Sequence, residues 1–280
     1  MLTRILTALV LIPLLVVILI FSGTLVFPIA WAILSVMAVA EMLRALGLLS
    51  DPLLSWPAYP IALGMPFAAY FIGDLKTVLT VLFSAFAFFL LWSYTVAVFR
   101  RGKLLFSSVS SLFTAMLYIT VGFLSISLLR YHTAAGQYLY LLVFIAPWVT
   151  DTFAYFTGRF FGRHKLIPEI SPKKTVEGAI GGTLFGILSF IVFGLIMQFS
   201  LGHQPNYFVL AFSGALCAFI SQIGDLIASL IKREKGVKDY GSIFPGHGGV
   251  MDRFDSVLVT APLLYCIFSI GGVFTALTVL

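Results

Sequence analysis

The feature that most limits this chain is its supply of long apolar segments. A helix crosses a bilayer in about 20 mostly apolar residues, with a range of about 17–25. Nine stretches meet that requirement: 5–21, 25–43, 58–72, 78–99, 108–129, 138–156, 178–199, 207–231 and 256–280. The third is the weakest, because Pro57, Pro60 and Pro66 interrupt it. No period-two alternation is sustained, so a β-barrel is not expected. The expected fold is therefore an all-α polytopic membrane protein of about nine transmembrane helices. Composition agrees. Only 10% of the 280 residues are charged, against roughly 25% in soluble domains. That excludes a soluble globule, a disordered chain and a disulfide scaffold. Cys217 and Cys266 sit inside apolar runs and read as small buried hydrophobes.

Basic residues favour cytoplasmic loops. With the N-terminus inside, 15 of the 17 Lys and Arg fall on the cytoplasmic side, and only Lys76 and Arg130 fall outside. Nine spans then leave the C-terminus outside. The net charge of +6 thus reflects topology, and no nucleic-acid partner is implied. The first span follows Arg4 but is long, with no clear small-x-small cleavage site, so it is read as a retained span. No repeat or linker divides the chain, and residues 1–280 are read as a single membrane domain.

Residues 1–145 look like scaffold. Glu41 and Arg44 read as an ion pair at a helix end. Arg100, Arg101 and Lys103 form a juxtamembrane cluster suited to orientation and to anionic headgroups. The chemistry concentrates in 146–260, which holds eight of the 11 acids and two cytoplasmic loops, 157–177 and 232–255.

Three constellations stand out. Asp151 lies late in the sixth span, where a carboxylate is costly unless it is partnered. Ser171-Pro172-Lys173-Lys174-Thr175-Val176-Glu177-Gly178 sets two lysines beside a helix start, whose amides and dipole favour anions. The third runs from Ser221 through Asp225 and Ser229 to Lys232, at spacings that share one helical face. It ends in Phe244-Pro245-Gly246-His247-Gly248-Gly249-Val250-Met251-Asp252-Arg253-Phe254-Asp255. Glycines there let backbone amides approach a phosphate. Asp252 and Asp255 would share a face if the ninth helix begins at that point. With Asp225 they make a hard oxygen site of the kind Mg²⁺ takes, substrate phosphates completing the shell. His247, among glycines, is read as meeting a phosphate.

These residues resemble the phosphatidate cytidylyltransferases, or CDP-diacylglycerol synthases. The family pattern is matched at Ser229, Lys232, Arg233, Lys238, Asp239, Pro245, His247, Gly248, Gly249, Asp252, Arg253 and Asp255. The run at 171–178 also looks like the family. The resemblance implies transfer of a cytidylyl group: CTP and phosphatidate give CDP-diacylglycerol and diphosphate, with Mg²⁺ and room for a second cation. The expected catalytic residues are Asp225, Asp252, Lys173, Lys232 and Arg253. The expected metal ligands are Asp225, Asp252, Asp255 and Asp151. Lys174, Ser229, Arg233, Lys238, Asp239, His247, Gly248 and Gly249 are expected to bind substrate. The setting would be a bacterial cytoplasmic membrane, with the site facing the cytoplasm and the acyl chains left in the lipid bilayer.

A multi-pass transporter of an anionic substrate is the alternative, since it also uses intramembrane acids and broken helices. It predicts polar residues in both halves, whereas the first 145 residues hold almost no intramembrane charge. The CDP-alcohol phosphotransferases are disfavoured, because their Asp-Gly-x-x-Ala-Arg opening is absent. Gly178, Gly182 and Gly186 permit close helix contact, within one chain or across a dimer. A homodimer is the expectation, partly from the family.

Overall fold

A computed structural model describes residues 2–101, 104–269 and 277–279. Lys103 of the basic cluster and the greater part of the final stretch of the ninth segment lie outside these residues. Eleven helices follow in chain order: α1 (Leu2–Ile20), α2 (Val26–Ala45), α3 (Pro52–Ser55), α4 (Ala58–Phe71), α5 (Leu75–Phe99), α6 (Phe106–Tyr131), α7 (Gly136–Leu139), α8 (Leu142–Phe161), α9 (Val176–Leu201), α10 (Tyr207–Glu234) and α11 (Met251–Ser269). Four short strands accompany them: β1 (Lys165–Ile167), β2 (Ser171–Thr175), β3 (His203–Pro205) and β4 (Leu277–Val279).

The protein is an all-α membrane protein in its main elements. Among the described residues six stretches are long and apolar enough to cross a bilayer: α2, α5, α6, α7 with α8, α9 and α10. The proline-rich third segment forms α4, whose 14 residues reach only about 21 Å at 1.5 Å per residue, short of a bilayer core of about 30 Å. In α11 the obstacle is charge, because Asp252, Arg253 and Asp255 crowd its first five positions. Many outward side chains are large and apolar, among them Phe83, Leu91, Ile180 and Leu184. That is the surface a chain needs where lipid replaces water.

The chain forms two compact units. One comprises 1–127 with 234–254, and the other 128–233 with 255–280. The cut thus differs from a simple scaffold half and catalytic half, since the glycine-rich segment associates with the N-terminal helices. In the first unit α2 packs on α4. Trp31, 0% exposed, stands edge-on to Phe27 at 5.0 Å and to Phe254 at 5.9 Å between ring centroids. Helix starts follow sequence chemistry. Asp74 caps α5, its Oδ2 accepting the Thr77 N–H at 2.8 Å, and Asp51 caps α3 ahead of Pro52.

In the second unit α8 and α9 make the most extensive helix pairing. Small residues set their separation. A Cβ on Gly182 would meet the Thr150 carbonyl and Ala154, and one on Gly186 would meet Ala218 of α10. The spaced glycines therefore serve contact within the chain. Phe153 and Phe185 stack across the same seam with centroids 3.7 Å apart. The expected loop 157–177 is largely ordered. The helix α8 runs on to Phe161, and β1 and β2 pair antiparallel, Lys165 opposite Thr175. β3 pairs antiparallel with β4.

Candidate functional site

In the second unit four of the expected residues, Asp151, Lys173, Lys174 and Asp225, line one cavity. It measures about 530 Å³ and is lined by Asp151, Tyr155 and Arg159 of α8, Lys173 and Lys174 of β2, and Gln222 and Asp225 of α10, among others. At its centre Lys174 Nζ pairs with Asp225 Oδ2 at 2.5 Å, and both side chains are roughly a quarter to a third exposed. Lys174 also donates to the Gln222 carbonyl at 3.4 Å. Arg159 donates to the Tyr155 hydroxyl at 2.8 Å. Asp255, buried at 8% exposed, feels the charges of Asp225, Lys232 and Asp151. Asp151, Asp225, Asp255, Lys174 and Lys232 therefore form one electrostatic group within this unit. Ser229 is half-buried on α10, and Arg233 is exposed near its end.

The walls of this cavity explain the rest of the 171–178 run. Thr175 caps α9, its Oγ1 accepting the Gly178 N–H at 3.1 Å. Glu177 holds the hairpin by accepting the His164 N–H at 3.2 Å and meeting its Nδ1 at 2.7 Å. Gly178 lies where a Cβ would strike the Ala154 carbonyl. Thr175, Glu177 and Gly178 thus make architectural contacts, and Thr175 and Gly178 line the cavity together with the two lysines. Gln222 was not anticipated. Its Nε2 donates to Thr183 Oγ1 at 3.2 Å and ties α10 to α9. Its position one residue after Ser221 in an apolar run was the only available signal.

The glycine-rich segment belongs to the first unit, with Lys238, Asp239, His247, Gly248, Gly249, Asp252 and Arg253. Phe244 and Gly248 close a tight turn, the Phe244 N–H reaching the Gly248 carbonyl at 2.9 Å. Gly246 (φ 77°) and Gly248 (φ 86°) take left-handed backbone there, which side chains resist. Lys238, Asp239 and Arg253 are exposed, and His247 is half-buried. The helix α11 begins at Met251, so Asp252 and Asp255 do stand three apart on one helix. Asp252 Oδ2 accepts the N–H of Tyr240 at 2.8 Å and of Gly249 at 3.0 Å. Glu41 feels the charge of Arg44, as expected, and both its oxygens also accept amides of this segment, from Val250 and Met251. The amides of 249–251 therefore end on carboxylates.

Among the described residues no three His, Cys, Asp or Glu side chains close into a ready cation cage. Mg²⁺ does not require one, since it is bound through one or two carboxylates, waters and substrate phosphates. The hard oxygens of Asp151, Asp225 and Asp255 suit it in kind.

The comparisons with known proteins decide the family. A model of the cytidylyltransferase family matches residues 2–271. The chain belongs to the cytidylyltransferase family. Among its relatives, the phosphatidate cytidylyltransferase of Staphylococcus haemolyticus is 38% identical over 176 residues, or 63% of this chain and 64% of that protein. Those of Staphylococcus epidermidis and Staphylococcus aureus are 40% and 37% identical over 177 residues, with the same shares covered. The chain spans 64% of the length of these relatives. Their names agree with the resemblance drawn from the motifs.

Proposed function

We propose that this member of the cytidylyltransferase family is a phosphatidate cytidylyltransferase, making CDP-diacylglycerol and diphosphate from CTP and phosphatidate. The observation that carries the reading is the Lys174–Asp225 pair in a cavity that also presents Lys173, Arg159 and Asp151, on helices apolar enough to sit in a membrane. Cations at that depth suit two phosphate substrates, one of which keeps its tails in lipid.

The lipid phosphate is already anionic near neutral pH. One of its oxygens attacks the α-phosphorus of CTP, the bond to the β-phosphate oxygen breaks, and diphosphate leaves with the electron pair. No strong base is needed. The requirement is to bring anions together and stabilise the charge that gathers on the phosphorus oxygens. Lys173 and Lys174 supply cationic donors to the phosphates, with Lys232 and Arg233 from α10. The motif adds Arg253, Ser229, Lys238, Asp239 and His247 as substrate-binding residues. Asp225 orients Lys174 in the absence of substrate. Mg²⁺, the cation this chemistry calls for, would be held by Asp225 with Asp151 and Asp255, the motif adding Asp252; it would supply positive charge to the phosphates.

The finer membrane arrangement is part of the same proposal: nine spans, the N-terminus and active site cytoplasmic, in a bacterial cytoplasmic membrane. The charge asymmetry of the loops supports it. The homodimer rests on the family alone, since the spaced glycines are occupied within the chain. Purified protein incubated with labelled CTP, phosphatidate and Mg²⁺ should yield lipid-extractable label. Label no higher than in a control without protein would overturn the reading.

A further inference from the structure

The glycine-rich turn owes its order to a residue about 210 positions upstream. Glu41, near the end of α2, is 1% exposed. Its Oε1 accepts the Val250 N–H and its Oε2 the Met251 N–H, each at 2.9 Å. These amides open α11 and have no partner within that helix. A carboxylate there also faces the positive end of the helix dipole. Two glycines make room for it, because a Cβ on Gly241 or on Gly249 would collide with the Glu41 carboxyl group. The next amide, that of Gly249, goes to Asp252. Arg253 Nε in turn donates to the His247 carbonyl at 2.7 Å. One buried acid in the second helix therefore holds the backbone from which His247, Asp252 and Arg253 project.

We propose that Glu41 is a positioning residue for the reaction. It clamps the 249–251 backbone, sets the direction of Asp252 through it, and closes this helix end to phosphate. Glu41 itself touches no substrate. The clamp stands on geometry, while its effect on turnover rests on the phosphatidate cytidylyltransferase reading. Glutamine cannot replace it, since an amide has one acceptor oxygen and its NH₂ group would face the second N–H. Aspartate keeps both acceptors but is one methylene short.

The test uses the full chain, purified in detergent, as wild type and as Glu41→Gln, Glu41→Asp and Gly241→Ala. Hydrogen exchange of peptides covering 241–252 is measured beside kcat and KM. Glu41→Gln should lower kcat about 10–100-fold, the usual loss when a group that orients a ligand is removed, with KM for phosphatidate little changed. Exchange in 241–252 should accelerate, while that of 207–234 stays as in wild type. Glu41→Asp should recover part of the kcat. Gly241→Ala, whose Cβ displaces the carboxylate, should move both readouts the same way as Glu41→Gln. A purely structural glutamate would lower the yield of folded protein and leave kcat and the local exchange of the folded fraction unchanged; that outcome overturns the proposal. If Glu41→Gln does not fold, Gly241→Ala decides by the same two readouts. If the wild type makes no CDP-lipid, the reaction is wrong, and exchange alone judges Glu41: faster exchange upholds the clamp and unchanged exchange overturns it.

Discussion

Asp225 and Glu41 are both acids set in apolar helices, and the two units use them in opposite ways. Asp225 faces a cavity and meets a lysine side chain at 2.5 Å, with about a third of its side chain exposed. Glu41 is sealed from solvent, and its two oxygens each accept a backbone amide. A side-chain partner can move aside when a phosphate or a cation arrives. A backbone amide at a helix start cannot. The contrast separates an acid whose partner is a movable side chain from an acid that holds backbone, although hydropathy makes the two look alike.

The sharpest way to break this contrast is Asp225→Asn. Cytidylyl transfer should fall by about 10³-fold or more, the upper end of what one preorganised electrostatic group contributes, while the unfolding temperature in detergent changes little. Activity near wild type in a folded variant would remove Asp225 from the chemistry. Lys174→Ala comes next, with kcat lower by about 10²–10³-fold. The Asp225→Asn/Lys174→Ala double variant should lose far less than the sum of the two, since they act as a pair; strict additivity would refute the coupling.

Smaller effects sharpen the architectural side. Gly182→Leu forces bulk into the α8–α9 seam and should destabilise the protein by about 1–3 kcal/mol, read from thermal unfolding. Thr175→Ala removes the α9 cap and should cost about 1 kcal/mol with kcat nearly intact, which would separate the capping threonine from the lysines beside it. The smallest change belongs to an acid of neither kind. Asp51 pairs with Arg100 at 3.0 Å near the surface, so Asp51→Asn should alter stability by about 0.2–1 kcal/mol, mostly at low salt, and leave turnover alone.

Sequence was enough to place the main helices and to collect the candidate site residues. Apolar length reports spans directly, because lipid leaves a backbone few options. The 171–178 run singled out Lys173 and Lys174, and charge within apolar runs singled out Asp151 and Asp225, without any geometry. Spacing did not foresee how carboxylates and amides would be matched. Glu41 read as a partner for Arg44 three residues away, since sequence shows only near neighbours, yet it serves amides some 210 residues distant. Gly249 read as room for a phosphate, and its missing Cβ is also the room that glutamate occupies. Thr175, Glu177 and Gly178 carried no assigned role in the sequence, and the fold uses them as a cap, a latch and a helix contact. Membrane insertion and the inventory of charges are properties of composition along a line. Which buried donor satisfies which acceptor depends on contacts between distant segments, and only the folded chain settles that.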